Sequence, residues 1–372
     1  MIDFRYHVVS IVAVFLALAI GIVLGSTELQ GPTFNALNNT TAKLQNELDQ
    51  ARSQLATAQS QASQGEQYAA AVEPAVLRDL LPGQRLLIVT EPGAQAEVVS
   101  GISTAATDAG ASVTGQIALQ PKFFDTSDTT QDSLNQTTLD VAQAANIALT
   151  STDSFQQQAA QVIASEILVK SSGSASTSQA STSQASTGPT STSQASVSPS
   201  PASTSPASSD QGTNAQMMLS AYASSGFLNT TGQPATPATL VVIVTPQNAP
   251  ADGAADPYDQ VLVPLATELA ANSSATVVAG SSAGSGPGSP IAVLRSSNVS
   301  NQVSSVDDAD LVSGQTVTIQ ALAAMLHGGK AGSYGFTDNG ATAVAPTPAP
   351  MPSASASPIA SATVSTKKKA KR

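Results

Sequence analysis

The sequence predicts an α/β protein with an N-terminal transmembrane helix, a parallel coiled-coil stalk and a small parallel sheet that carries helices on both faces. Three observations support this: an uncharged apolar run near the N-terminus, heptad spacing directly after it, and short β-branched runs that alternate with helical patterns. Strands that alternate with helices favour a parallel sheet, because each crossover helix returns the chain to the same sheet edge.

The apolar run, residues 8–25, predicts a helix that crosses a membrane. It has no charged residue and is about 18 residues long, which suffices to span the hydrocarbon core. Arg5 precedes it and Glu28 follows it, so the positive-inside tendency places residues 1–7 in the cytoplasm and the bulk of the chain outside. A cleaved signal peptide is the alternative, which the long run and the missing A-x-A site disfavour.

Small residues recur every fourth position within this run, at Ala13, Ala17, Gly21 and Gly25. Such spacing forms a groove in which two membrane helices can approach closely, so it predicts dimerisation in the bilayer. The alternative is that small residues are simply common in membrane helices.

Residues 28–76 follow a heptad pattern and predict a coiled-coil stalk. The large apolar positions are followed by mostly Ala in the second half, and polar residues fill the positions between. This seam predicts a parallel homodimer, with a single amphipathic helix lying on the globular domain as the alternative. We expect Glu73-Pro74 to interrupt the helix. The large apolar positions on the predicted dimer interface are Phe34, Leu37, Leu44, Leu48 and Leu55.

Residues 77–340 contain the globular α/β domain. We predict strands at 85–90, 111–119, 239–245, 275–279 and 303–306, and helices at 94–109, 132–149, 154–169, 215–227, 256–272 and 312–326. Residues 171–210 consist almost entirely of Ser, Thr, Ala, Gln and Pro, which predicts a disordered insertion. The Pro/Ala/Ser-rich residues 341–372 predict a disordered tail with a basic end.

Composition and charge limit the partners of the chain. The formal net charge is −11, yet five of the fourteen basic residues lie among the last six positions, so the body is strongly acidic. Repulsion of phosphate argues against nucleic-acid binding. The basic end is interpreted as a solvated terminus, with a contact to an anionic envelope polymer or lipid as the alternative. The absence of Cys excludes disulfides and thiol chemistry within the chain.

Three blocks carry a resemblance to a known family: MIDFRYHVVSIVAVFLALAIGIVLGS at the start, the LLIVT strand, and ATVVAG…IAVLR…VSSVDDAD…ALAAMLHGGKAGSYG near the end. They resemble the actinobacterial copper transport protein B family, which includes septal wall regulators. The resemblance implies copper homeostasis or export in the cell envelope, and its outer layer is one possible location. The septal relatives imply a different role, a coiled-coil dimer that binds a membrane or septal partner.

Copper needs soft or imidazole ligands, and few are present. His327 and Met325 lie two positions apart, which directs them to different sides of a helix, and Met217 and Met218 are adjacent. With His7, these residues are better explained by packing. We therefore predict no metal site and no cofactor, copper being implied by resemblance only, and this shortage of ligands favours the scaffold hypothesis physically.

Asp307, Asp308 and Asp310 form the densest acidic cluster. They are candidates for binding a basic partner or a hard cation, and the alternative is turn and helix-cap chemistry at a strand end. The glycine-rich segments 280–288 and 327–331 lack the spacing of nucleotide-binding loops. Since no nucleophile–base pair or paired acid and base is evident, we expect a protein that is not an enzyme.

The predicted topology can be tested with reporters fused after Gly340 in the full-length chain. An uncleaved helix over residues 8–25 with its N-terminus inside should make an extracytoplasmic reporter active and a cytoplasmic one inactive. An active cytoplasmic reporter, or a mature N-terminus near Thr27, would contradict this topology.

Overall fold

The computed structural model describes residues 4–149, 154–170, 207–248, 256–336 and 340–347. The chain divides into two compact units, Met1–Tyr68 and Ala69–Arg372. The predicted insertion 171–210 lies outside the described residues except for its last four, which begin a helix. The predicted tail 341–372 lies outside them beyond residue 347.

The first unit is helical. Helix α1, Phe4–Leu77, begins there and continues into the second unit. Its segment Arg5–Gly25 is the one helix in the described ranges that is long and apolar enough to cross a membrane. The N-terminal apolar helix predicted from the sequence is therefore present, and its length and composition fit a single-pass membrane protein.

Helix α1 does not stop at Glu73-Pro74, so the predicted interruption was wrong. Pro74 lies in the last turn, where its missing N–H removes one hydrogen bond without leaving a long helical segment beyond it. Two tertiary contacts stabilise this turn. Leu77 is fully buried in the core, and the Thr316 hydroxyl donates to Glu73 Oε1 at 3.1 Å.

The second unit is built on a seven-stranded sheet with the order β3-β2-β1-β4-β5-β6-β7. All neighbouring strands pair in parallel except β3, which runs antiparallel to β2. The strands are β1 (Arg85–Thr90), β2 (Ser112–Leu119), β3 (Leu228–Gly232), β4 (Leu240–Val244), β5 (Ala275–Ala279), β6 (Ser304–Val306) and β7 (Ser333–Tyr334). The mostly parallel sheet confirms the α/β prediction.

In the described ranges, seven α-helices follow α1 and cover both faces of this sheet, as predicted. One face packs against α2, α8 and the end of α1, and the other against α3 to α7. The helices are α2 (Ala96–Asp108), α3 (Asp128–Ala145), α4 (Phe155–Ile167), α5 (Ala207–Ser224), α6 (Asp256–Asn272), α7 (Pro290–Ser296) and α8 (Val312–Leu326).

The central strands explain why two helical layers are required. In β1, Leu86 and Ile88 point into one core while Leu87 and Val89 point into the other, since alternate side chains of a strand face opposite ways. Every residue of β4 and β5 is buried. Strands buried on both faces appear in a sequence as nearly continuous apolar runs, as residues 239–245 and 275–279 do.

Two strands and one helix were missed from the sequence. Strand β3 reads LNTTG and exposes four of its five residues, so it lacks an apolar pattern. Strand β7 has two residues. Helix α7 was predictable, because Ser289 accepts a hydrogen bond from the Ala292 N–H and Pro290 follows it, and Ser-Pro before an apolar run is typical of a helix start.

Candidate functional site

Polar residues collect at the carboxyl edge of the sheet, directly after the apolar strands end. Glu91 follows β1, Thr245 follows β4, Ser281 follows β5 after one glycine, and Asp307-Asp308 follows β6. From β1 the chain adds β2 and β3 on one side of the sheet, and it then crosses back to add β4 on the other side of β1. The gap between β1 and β4 is therefore the reversal point of the strand order. In open α/β sheets, ligands bind outside the carboxyl ends of the strands, close to the reversal point of the strand order. This edge is therefore the candidate functional site.

Glu91 lies at the reversal point and is almost fully buried, with 2% of its surface exposed. Its N–H donates to the Val244 carbonyl at 2.9 Å, but neither side-chain carboxyl oxygen has a hydrogen-bond partner. Burial disfavours the charged form and raises the pKa of Glu91 to about 8. The neutral carboxylic acid is therefore the favoured form of Glu91 at pH 7. No local sequence pattern marks Glu91 as buried, since an isolated Glu in a turn usually faces solvent.

Asp307 forms a buried ion pair with Arg295 of α7. Arg295 Nη1 lies 2.9 Å from Asp307 Oδ2, and the two side chains are 6% and 0% exposed. Arg295 also donates through Nε to Ser305 Oγ and through Nη2 to the Tyr334 carbonyl, both at 2.9 Å. The guanidinium thus joins α7, β6 and β7. Sequence reasoning did not select Arg295, because a single basic residue in an apolar helix carries no motif.

Asp308 is buried beside Asp307, with 2% of its surface exposed. Burial, the charge of Asp307, a hydrogen bond with the Asp307 side chain and the charge of Asp310 together raise the pKa of Asp308 to about 7. The Phe336 N–H donates to Asp308 and acts in the opposite direction. The Asp308 carboxyl therefore gains or loses its proton near neutral pH.

Asp310 is the exposed member of the acidic cluster, and its Oδ1 accepts a weak hydrogen bond from the Ser282 N–H at 3.3 Å. The three acids predicted to bind a partner thus differ in access. Only Asp310 can touch another molecule in this conformation, and partner binding stays a prediction. Helix capping does not explain the cluster either, because Leu311 precedes α8 and makes no side-chain cap.

The two glycine-rich segments lie in different places. Residues 280–288 fold under the β4 end, where Ser281 Oγ donates to the Gln247 carbonyl and a Cβ at Gly280 would collide with the Thr245 hydroxyl. The segment at 327–331 follows α8, with Gly328 at φ +84°.

The candidate soft ligands are scattered over the chain. His7 lies on α1, and His327 is exposed after α8. Met325 Sδ accepts from Ser304 Oγ at 3.1 Å. Met217 is 54% exposed and Met218 1%, although both border a groove of about 200 Å³ between α3 and α5. Within the described ranges, no group of three or more His, Asp or Glu residues is placed to hold a metal ion.

The predicted dimer contacts all lie on α1. Leu44, Leu48 and Leu55 are between 50% and 61% exposed in the single chain. Ala13, Ala17, Gly21 and Gly25 are also exposed, whereas the side chains of Phe34 and Leu37 lie outside the described residues. Dimerisation through these positions stays a prediction.

An apolar N-terminal helix joined to a mostly parallel α/β domain defines a class of protein, a globular head carried on one membrane-length helix. Comparison with known families assigns the chain more narrowly. The family model described as "Copper transport outer membrane protein, MctB" matches residues 1–346. The chain belongs to the MctB family.

Curated relatives agree with this assignment. The chain is 26% identical to a protein named copper transporter MctB in Mycobacterium tuberculosis (strain ATCC 25618 / H37Rv), over 92% of this chain and 99% of the relative. The Mycobacterium bovis protein of the same name gives the same values. The Mycobacterium leprae protein of that name is 28% identical over 35% of this chain and 41% of its own length.

Replacement of Glu91 by Gln should change how the stability of the head depends on pH. Because the folded-state pKa of Glu91 is raised to about 8, the stability that its proton contributes is present in full below the unfolded pKa of about 4.3. It declines by about 1.4 kcal/mol per pH unit above that value and is lost as the pH rises through about 8. Glu91→Gln should reduce this decline.

The measurement is denaturant unfolding of residues 28–372 at pH 5, 6.5 and 8. Glu97→Gln is the matched control, because Glu97 is exposed on α2 and should leave the decline unchanged. A wild-type stability that does not fall over this range, or equal declines in both variants, would contradict the assignment.

Proposed function

We propose that the chain is a non-enzymatic, single-pass protein of the cell membrane that acts in copper homeostasis or export, with its α/β head on the extracytoplasmic side. The observation that carries this proposal is the family match, which runs over residues 1–346 and so includes the membrane helix, the stalk region and the head. Copper is the cargo in this proposal, and it is not a resident cofactor.

The N-terminal helix supports the membrane part of the proposal. Arg5–Gly25 has the length and apolarity of a span, and Arg5 at its start favours a cytoplasmic N-terminus. The lipid bilayer is then the first partner of the chain. A second membrane or septal protein is a further proposed partner, and exposed Asp310 offers it an acidic contact.

A deletion strain tests the role in copper handling. Cells that lack this chain should grow less well at high copper and should accumulate more of it, and the full-length chain should restore both. The control is residues 28–372 secreted without the membrane helix, which should fail to restore them. Normal copper content and growth in the deletion strain, with the chain shown to be expressed in the parent, would contradict the proposal.

Copper titration of the purified full-length protein distinguishes direct from indirect action. The separated ligands favour weak Cu(I) binding, because tight sites need several soft donors at one point. A stoichiometric, tight site that is lost in His327→Ala or Met325→Ala would instead place the cargo on the head itself. Met217→Leu is a matched control for loss of an exposed methionine.

Assembly into a parallel dimer is the second candidate function, since it would make the chain a scaffold that presents two heads to a septal or membrane partner. The observation that favours it is the exposure of Leu44, Leu48 and Leu55 at heptad spacing on a helix of 74 residues. An isolated helix gains little by exposing a row of leucines, whereas a second copy would bury them.

Leu44→Asp combined with Leu48→Asp should turn a dimer of residues 28–340 into a monomer. Burying each Leu side chain contributes about 1.5–3 kcal/mol, and like charges in the same layer repel. Gln54→Asp is the control, because Gln54 lies between the seam positions. Light scattering gives the mass, and a monomeric wild type or a dimeric double variant would contradict the coiled coil.

A further inference from the structure

Helices cover only part of one face of the sheet. Among the described residues on the face that packs against α2, α8 and the end of α1, β2 adds only the half-buried Val113 to the core, and β3 adds nothing. Thr114 and Gln116 of β2 point to this face and are half-buried. Ile117 points the opposite way and is buried in the other core. A trough of about 510 Å³ therefore lies over β1 and β2, bounded by α2 and β3.

Six uncharged polar side chains line this cavity, which we name the β2 trough. Gln116 Nε2 donates to Thr90 Oγ1 at 3.2 Å, and this bond orients both side chains. An amide has one carbonyl oxygen and two N–H groups, and a hydroxyl both donates and accepts, so each member of this pair can also bond a ligand. The six polar side chains are Thr90, Ser100, Ser103, Thr114, Gln116 and Thr231.

The β2 trough is uncharged on an acidic protein. None of its lining residues, all of which the structure describes, carries a charge, whereas the chain has a formal net charge of −11. Glu97 in the first turn of α2 opposes the positive end of the helix dipole beside the trough. An ion that entered would lose hydration without meeting an opposite charge in the lining, so the trough suits a neutral ligand.

The position of the β2 trough on a sheet face favours a glycan over a peptide. The backbone of β2 already pairs with β1 on one side and with β3 on the other. An extended peptide laid over this face could not add backbone hydrogen bonds to the sheet, which is what a peptide gains at a sheet edge. A glycan needs no such pairing, because its hydroxyls bond directly to side-chain hydroxyls and amides. Half-buried Val99 and Val113 offer apolar surface to the C–H faces of its rings.

We propose that the β2 trough binds a neutral glycan, with Thr90, Ser103 and Gln116 bonded to its hydroxyl or acetamido groups. The volume of the trough lies within the usual range of ligand pockets, about 300–1,000 Å³. Its lining residues include no aromatic ring on which a sugar could stack, so hydrogen bonds carry most of the recognition. Glycan binding does not require copper, and failure of either proposal would leave the other intact.

Calorimetry and amide hydrogen exchange of the full-length protein with hexasaccharides test the site. The neutral probes are chitohexaose, which carries acetamido groups, and maltohexaose, which carries hydroxyls alone, and a hyaluronan hexasaccharide is the anionic control. The micelles should be of an alkyl dimethylamine oxide, because the head group of a maltoside detergent is itself a sugar. At about twice its dissociation constant, a neutral probe should slow exchange about threefold in peptides that cover 94–103 and 113–116. Peptides that cover β5 should not change.

Gln116→Ala should weaken binding of the neutral probes about two- to tenfold, the effect of losing one hydrogen bond. Gln136→Ala is the matched control and should bind like the wild type, because Gln136 is exposed on α3 at the opposite face of the sheet. The affinity should change less than about twofold between low and high salt, since salt screens only charges.

The proposal is overturned if neither neutral probe binds, if the protected peptides lie away from the β2 trough, or if the hyaluronan fragment binds as tightly as the neutral probes or more tightly. It is also overturned if Gln116→Ala binds like Gln136→Ala. Ser103→Ala, at a half-buried position on the surface of α2, decides the matter in the same way if Gln116→Ala does not fold.

Discussion

Burial of the central strands on both faces is the constraint on which the rest of the head depends. Strands β1, β4 and β5 are apolar on both sides, so each face must be covered, and parallel connections provide the covering helices as the chain crosses from strand to strand. A hydroxyl within such strands can find a partner, as Thr276 of β5 does with Ser273, whereas a carboxyl there would be buried away from water. The acidic groups lie just beyond the strand ends, so Glu91, Asp307 and Asp308 occupy one edge together with Thr245.

Burying a charged carboxyl at this edge is energetically unfavourable, and two features of the structure reduce this penalty. Asp307 is paired with the Arg295 guanidinium, whose three nitrogens each donate a hydrogen bond at this edge. Glu91 and Asp308 have no such cation, and burial shifts their pKa values upward so that they are wholly or partly protonated near pH 7. The same burial that makes the sheet stable thus makes its carboxyl edge sensitive to protons.

The sequence was most informative where one physical signal dominated. The limits of α6, β5 and α8 were predicted to the residue, because each is a sustained apolar run or helical pattern that ends at a Ser, Gly or His residue. Strand β3 and the two residues of β7 are defined by pairing with neighbours, which a local pattern does not reveal. The buried ion pair of Asp307 depends on Arg295, which lies twelve residues away on another element.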